Sequence, residues 1–179
     1  YVANFGVANR LWRDLQTTAT ILSITPENAV RAEGGVGETT PFTFLVSVSG
    51  RAPTETIEVS YSVSGTGINP AGEDDFDNSP PLPFGTFNIN ANARSATITI
   101  PVSGDDILEP DEGFKVTLTS VAGSSAEIGG FGYALGTILN DETQLSIAPD
   151  DAVRAEGDTG TTPFTFTVTR SGVTSGSGT

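Results

Sequence analysis

Twenty-two aspartates and glutamates face only eight lysines and arginines in this 179-residue chain, and the acids are gathered rather than spread. Three stretches hold many of them: Gly72-Glu-Asp-Asp-Phe-Asp77, Gly104-Asp-Asp-Ile-Leu-Glu-Pro-Asp-Glu112 and Ile138-Leu-Asn-Asp-Glu142. A further acid, Glu33, stands before a pair of glycines. Carboxylates and carbonyls are the ligands of hard cations, and calcium takes six to eight such oxygens from separate loops. Spacing alone leaves two readings open, solvated acidic loops or a hard-cation site.

The rest of the composition narrows the chemistry. The chain contains no histidine and no cysteine, which excludes Ser-His-Asp and Cys-His catalysis, thiolate metal sites and a disulfide framework. A formal charge of −14 disfavours nucleic acid and anionic membrane surfaces and favours cations as partners. Paired carboxylates also serve glycosidases, yet acids at a sandwich edge without an aromatic cleft offer no sugar platform. No catalytic function is expected. No apolar run reaches the roughly 18 residues that span a bilayer, so membrane insertion is not expected. Methionine is absent, so Tyr1 is not expected to be a translation start, and the chain is expected to be a processed product or a piece of something longer.

The elements that must position these acids read as strands. Segments 19–25, 42–49, 57–64, 84–89, 96–102, 114–118 and 131–139 alternate or cluster β-branched and aromatic residues between Gly, Pro, Asn and Asp. Seven short strands of this kind predict an all-β, two-sheet antiparallel sandwich of immunoglobulin-like type. The alternation is clearest in Thr97-Ile-Thr-Ile-Pro-Val102 and Phe114-Lys-Val-Thr-Leu118, where every second side chain is expected to enter the core.

The chain also repeats itself. Leu22-Ser-Ile-Thr-Pro-Glu-Asn-Ala-Val-Arg-Ala-Glu-Gly34 recurs 123 residues later as Leu145-Ser-Ile-Ala-Pro-Asp-Asp-Ala-Val-Arg-Ala-Glu-Gly157, and Thr39-Thr-Pro-Phe-Thr-Phe44 recurs as Thr161-Thr-Pro-Phe-Thr-Phe166. This period is too long for a solenoid unit and suits whole sandwich domains in tandem. Residues 19–142 therefore form one complete repeat, and 143–179 the opening strands of a second, incomplete one, ordered only when completed. Residues 1–18 match neither. Phe5, Ala8, Trp12 and Leu15 sit at helical spacing there, which reads as a leader packed on the sandwich or a docking arm. Arg31 and Arg154 occupy the same place in both copies, next to Glu33 and Glu156, as structural salt bridges would.

The motifs Val30-Arg-Ala-Glu-Gly34, Ala71-Gly-Glu-Asp-Asp-Phe76, the run from Gly104 to Leu118 and Gly136-Thr-Ile-Leu-Asn-Asp-Glu142 follow one another across residues 19–142. In type and order they resemble the Calx-beta domain family. The resemblance implies an immunoglobulin-like sandwich with calcium at one end. It implies that Glu33, Asp75, Asp105, Asp106, Glu109, Glu112, Asp141 and Glu142 are the metal ligands, with a backbone carbonyl near Ile107. The family often has a second aspartate where Glu142 stands here, and Asp111 is expected to face solvent or cap a turn. The function so implied is a calcium-binding structural or adhesive module of a secreted or surface-displayed repeat protein. Two alternatives stand beside it. One is a subunit of an extracellular filament that associates with other copies through residues 144–179 or 1–18 by strand donation. The other is an accessory domain of a larger secreted enzyme.

Overall fold

The computed structural model describes residues 19–77, 81–122 and 126–172; the helical spacing noted within residues 1–18 lies outside them. All seven expected segments carry strands. In chain order the strands are β1 (Thr20–Asn28), β2 (Val30–Ala32), β3 (Thr39–Gly50), β4 (Ile57–Thr66), β5 (Phe84–Ile89), β6 (Ser95–Ser103), β7 (Glu112–Ala122), β8 (Glu127–Ile128) and β9 (Tyr133–Leu139). A 3-10 turn at Asp74–Phe76 lies between β4 and β5. The strands form two sheets, ordered β6-β3-β1-β8 and β2-β9-β7-β4-β5.

The sandwich class is the expected one, with two differences of detail. The leading segment supplies two strands instead of one, and β8 adds a short edge. Pairing is antiparallel within each sheet except at one margin, where β1–β8 and β2–β9 run parallel. The second strand of the leading segment has a local cause. β1 leaves its partner β3 through a bulge between Pro26 and Asn28, where proline has no N–H for the ladder. The chain then crosses at the buried Ala29, whose carbonyl accepts the N–H of Thr137 at 2.8 Å, and joins the other sheet as β2. This crossing carries Glu33 away from the first sheet and sets it beside the end of β9.

Alternation decides the core. Phe42, Phe44 and Val46 of β3 and Ile98, Ile100 and Val102 of β6 face Ile57 and Val59 of β4, Phe114 and Val116 of β7, and Ile138 of β9. Phe114 is the hub of an aromatic cluster. Its ring meets Phe42 at 5.5 Å, Phe44 at 5.8 Å and Phe76 at 5.5 Å between centroids, all edge-to-face, the arrangement the ring quadrupole favours. Gly136 lies opposite Phe114 across the β7–β9 ladder, and a Cβ there would collide with the ring. A glycine is therefore what lets the hub residue fill the space between sheets.

After the sandwich, β10 (Thr143–Asp151) and β11 (Thr165–Gly172) pair as a separate two-stranded antiparallel sheet. The opening strands expected of the second repeat fall on these two elements. Ile147 pairs with Val168 and Pro149 with Phe166, as Ile24 pairs with Val46 and Pro26 with Phe44, and the bulge after the proline is repeated.

The arginines do not do what their neighbours in sequence suggest. Arg31 donates to the carbonyl of Pro41 at 2.7 Å, and Arg154 donates to that of Pro163 at 3.3 Å. The expected pairs with Glu33 and Glu156 are thus replaced. Arg154 makes its ion pair with Asp151, 2.5 Å away. Arg31 lies on β2, whereas Glu33 stands one residue past its end, buried in the acid cluster where other carboxylates surround it.

Candidate metal centre

Four chain segments end together at one pole of the sandwich. Ala32 pairs with Leu139, Glu112 with Ile138, Thr66 with Gly113 and Thr39 with Ser103. The residues just beyond these pairs are the acidic stretches. The ladders of both sheets thus deliver Glu33, the 72–77 segment, the 104–112 loop and the 140–142 tail to the same place.

Close backbone contact holds the loops there. The N–H of Gly104 donates to the carbonyl of Glu38 at 3.1 Å, and Thr40 Oγ1 donates to the carbonyl of Glu33 at 2.5 Å. A Cβ on Gly104 would collide with the carbonyl oxygen of Gly34. Gly104→Ala is therefore expected to push the 34–38 and 104–106 segments apart and to destabilise the sandwich by about 1–3 kcal/mol. Chemical denaturation of the variant checks this, and an unchanged midpoint would show that the contact is not needed.

Aromatic packing fixes a second part of the site. Phe76 is buried against Phe114, so Asp75, one residue earlier, is held inside as well and is only 6% exposed. Its Oδ2 accepts the N–H of Gly72 at 2.7 Å. Glu112 stands two residues before Phe114 at the start of β7, and its carboxyl shares a hydrogen bond with Asp75.

Six carboxylates come together in two groups. Glu33, Asp141 and Glu142 form one, and Asp75, Glu109 and Glu112 the other; in each, one oxygen per residue lies within 4.8 Å of the others. Glu33 is only 3% exposed. Burial, then the negative charges of Glu142, Asp105, Asp75 and Glu109, push its carboxyl up to about 8. Burial, the Asp75 hydrogen bond and the charges of Asp75, Glu109 and Asp74 raise Glu112 to about 8 as well. Glu109 is raised chiefly by burial and then by Asp105, and Glu142 is raised, first by burial. The strongest neighbouring charges on Glu33 are all negative. Two unit charges 4 Å apart cost about 4 kcal/mol at an effective dielectric of 20, so the site either holds protons or attracts a cation.

The other two expected ligands stand differently. Asp105 belongs to neither group; its Oδ1 accepts the N–H of Ile107 at 2.7 Å, while its charge bears on both Glu33 and Glu109. Asp106 is exposed and outside both groups. Asp111, expected at the surface or as a cap, is exposed and accepts the N–H of Asn140 at 3.1 Å. Asn140 was given no role by sequence reasoning. Its Oδ1 accepts the N–H of Glu109 at 2.8 Å, and with Asp111 it ties the central acidic loop to the tail carrying Asp141 and Glu142. An amide directly before the acids of Ile138-Leu-Asn-Asp-Glu142 was the available signal, since a neutral donor and acceptor can bridge two acidic segments without adding charge.

Asn140→Ala is expected to loosen this tie and cost about 1–2 kcal/mol, the penalty for an unmet backbone donor. Faster amide exchange at Glu109 than in the parent would register it, and equal exchange would deny Asn140 the role.

No family model and no curated protein matches the chain. Solved structures do match in fold. The apo-form Calx CBD1 domain superposes with a TM-score of 0.51 at 18% identity, over 68% of this chain and 98% of that one. The chain has the fold of the Calx CBD domains. CBD12 from CALX1.2 agrees, with a TM-score of 0.52 at 18% identity over 72% of this chain and 49% of that chain. This Calx-type sandwich carries its two carboxylate groups in the connections at one pole, on strands whose order the fold defines.

The donors suit a hard divalent cation. Every side chain in both groups offers oxygen only, two of them are buried, and the chain has no softer histidine or cysteine ligand to compete. Glu33, Asp141 and Glu142 would hold one ion and Asp75, Glu109 and Glu112 another, with Asp105 adding negative potential to both.

Proposed function

We propose that this chain is a calcium-binding structural module of a secreted or surface-displayed repeat protein. The observation that carries this reading is the convergence of two oxygen-only carboxylate groups at one pole of a Calx-type sandwich. The resemblance of the acidic loops to the Calx-beta family supports calcium as the ion. In this reading the metal neutralises the mutual repulsion of Glu33, Glu109, Glu112 and Glu142, and so stiffens the loops and the tail at Asp141 and Glu142 that leads directly into β10. The function is binding and mechanical order rather than turnover, as the absence of histidine and cysteine nucleophile systems from the sequence suggests. Millimolar calcium outside cells suits the roughly 10⁻⁴–10⁻³ M affinities of extracellular modules.

Calcium titration followed by thermal denaturation tests the proposal. At one hundred times the dissociation constant, the ion is expected to stabilise the sandwich by about 2.7 kcal/mol. Glu33→Gln is expected to remove the gain from the ion that Glu33, Asp141 and Glu142 would hold, while leaving the metal-free protein folded. Superimposable melting curves in chelator and in several millimolar calcium would refute the calcium reading.

A further inference from the structure

The second hairpin is built like the first down to its side-chain clamps. Thr162 Oγ1 donates to the carbonyl of Glu156 at 2.6 Å as Thr40 does to Glu33, and Arg154 reaches Pro163 as Arg31 reaches Pro41. Register and bulge coincide as well. Burial does not. Leu22, Phe42, Phe44 and Val46 are fully buried and Ile24 is 7% exposed, whereas Leu145, Ile147, Phe164, Phe166 and Val168 are between 49% and 69% exposed. Leu145 and Ile147 of β10 and Phe166 and Val168 of β11 therefore line one face of a two-stranded sheet, with Phe164 just before β11, an arrangement that is marginal alone in water.

The molecule itself shows what covers such a face. In the first copy, β3 pairs along its outer edge with β6, placing Phe42 opposite Ile100 and Phe44 opposite Ile98. The sheet containing β4, β7 and β9 then closes over the apolar side, with Phe114 between the two phenylalanines. Among the described residues β11 has no partner along the corresponding edge. We propose that the β10–β11 sheet is a docking surface for the strand complement of a repeat of this same kind. A β6-type strand with alternating apolar residues pairs antiparallel to β11, and a β4–β7–β9-type sheet carrying an aromatic hub covers Phe164 and Phe166. Backbone ladder bonds supply affinity in this mode of recognition, and the alternating pockets supply register. The inference rests on the internal repeat and is independent of the metal reading.

A fragment of residues 51–142 carries that complement and serves as the probe, mixed with the full chain in millimolar calcium. A one-to-one complex is expected, with amide exchange of Phe164–Thr169 slowed at least about 100-fold. Phe166→Asp in the full chain is expected to abolish the complex without moving the melting of the first sandwich. Equal binding to the parent and to this variant, or no slowing of exchange, overturns the proposal. Aggregation of the free fragment is avoided in a second form, in which residues 51–142 are fused through a flexible linker after Thr179. There the β10–β11 amides are expected to become protected, and continued fast exchange overturns the proposal equally.

Discussion

Phe114→Ala is expected to cost about 3–5 kcal/mol, the range for deleting a fully buried aromatic ring. The ring is fully buried and touches three others, from β3 on one sheet and from the 3-10 turn at Asp74–Phe76. Its loss leaves a cavity between the sheets and also frees Phe76, on which the position of Asp75 depends. The variant is therefore expected to lose calcium response as well as stability, although no metal ligand has been changed. Phe114→Leu keeps most of the volume and is expected to show a much smaller loss on both counts. Urea denaturation in chelator gives the first quantity, and the calcium-dependent shift of the midpoint gives the second. A cost below about 1 kcal/mol would mean that the neighbouring rings collapse into the space, and the hub role would fall.

The metal-free sandwich is expected to become less stable as pH rises from about 4.5 to about 8. Glu33 and Glu112 hold their protons up to about 8 in the folded protein, against 4.5 for an ordinary glutamate. Between those values the folded state binds more protons than the unfolded one, so stability falls as pH increases. The contribution is fully present below about 4.5 and is lost as pH passes through about 8. Each pH unit separating the folded from the unfolded titration corresponds to about 1.4 kcal/mol, so even after relaxation the two protonated carboxyls contribute a few kcal/mol at acid pH. Calcium is expected to reverse the slope, since binding needs the carboxylates ionised and expels their protons. Denaturation at pH 5, 6.5 and 8, with chelator and with calcium, reads both arms. Glu112→Gln is expected to flatten the metal-free curve, and a metal-free stability that rises with pH would contradict the crowding of these acids.

Much of the fold could be read from residues alone because the signal is local. A buried strand in an antiparallel neighbourhood alternates its side chains, so Thr97-Ile-Thr-Ile-Pro-Val102 and Phe114-Lys-Val-Thr-Leu118 announced both their structure and their inward faces. The internal repeat likewise announced β10 and β11, since closely similar local sequences support the same register, bulge and clamps. The acidic stretches were visible for the same reason, as loops between those strands.

What the linear order could not hold is distance through space. The switch of the first strand at Ala29 from one sheet to the other involves a hydrogen bond to Thr137, far along the chain, and it is this switch that sets Glu33 beside the end of β9. The division of the acids into two groups, the outward turn of Asp106 and the tie made by Asn140 and Asp111 depend in the same way on where separate loops meet. The sequence by itself determined strands, core faces, a repeat and a supply of oxygen ligands, because each follows from neighbours along the chain. Only the tertiary structure decided which carboxylates share a site and which hold protons, because burial and charge repulsion act between residues that the fold, and not the chain, makes neighbours.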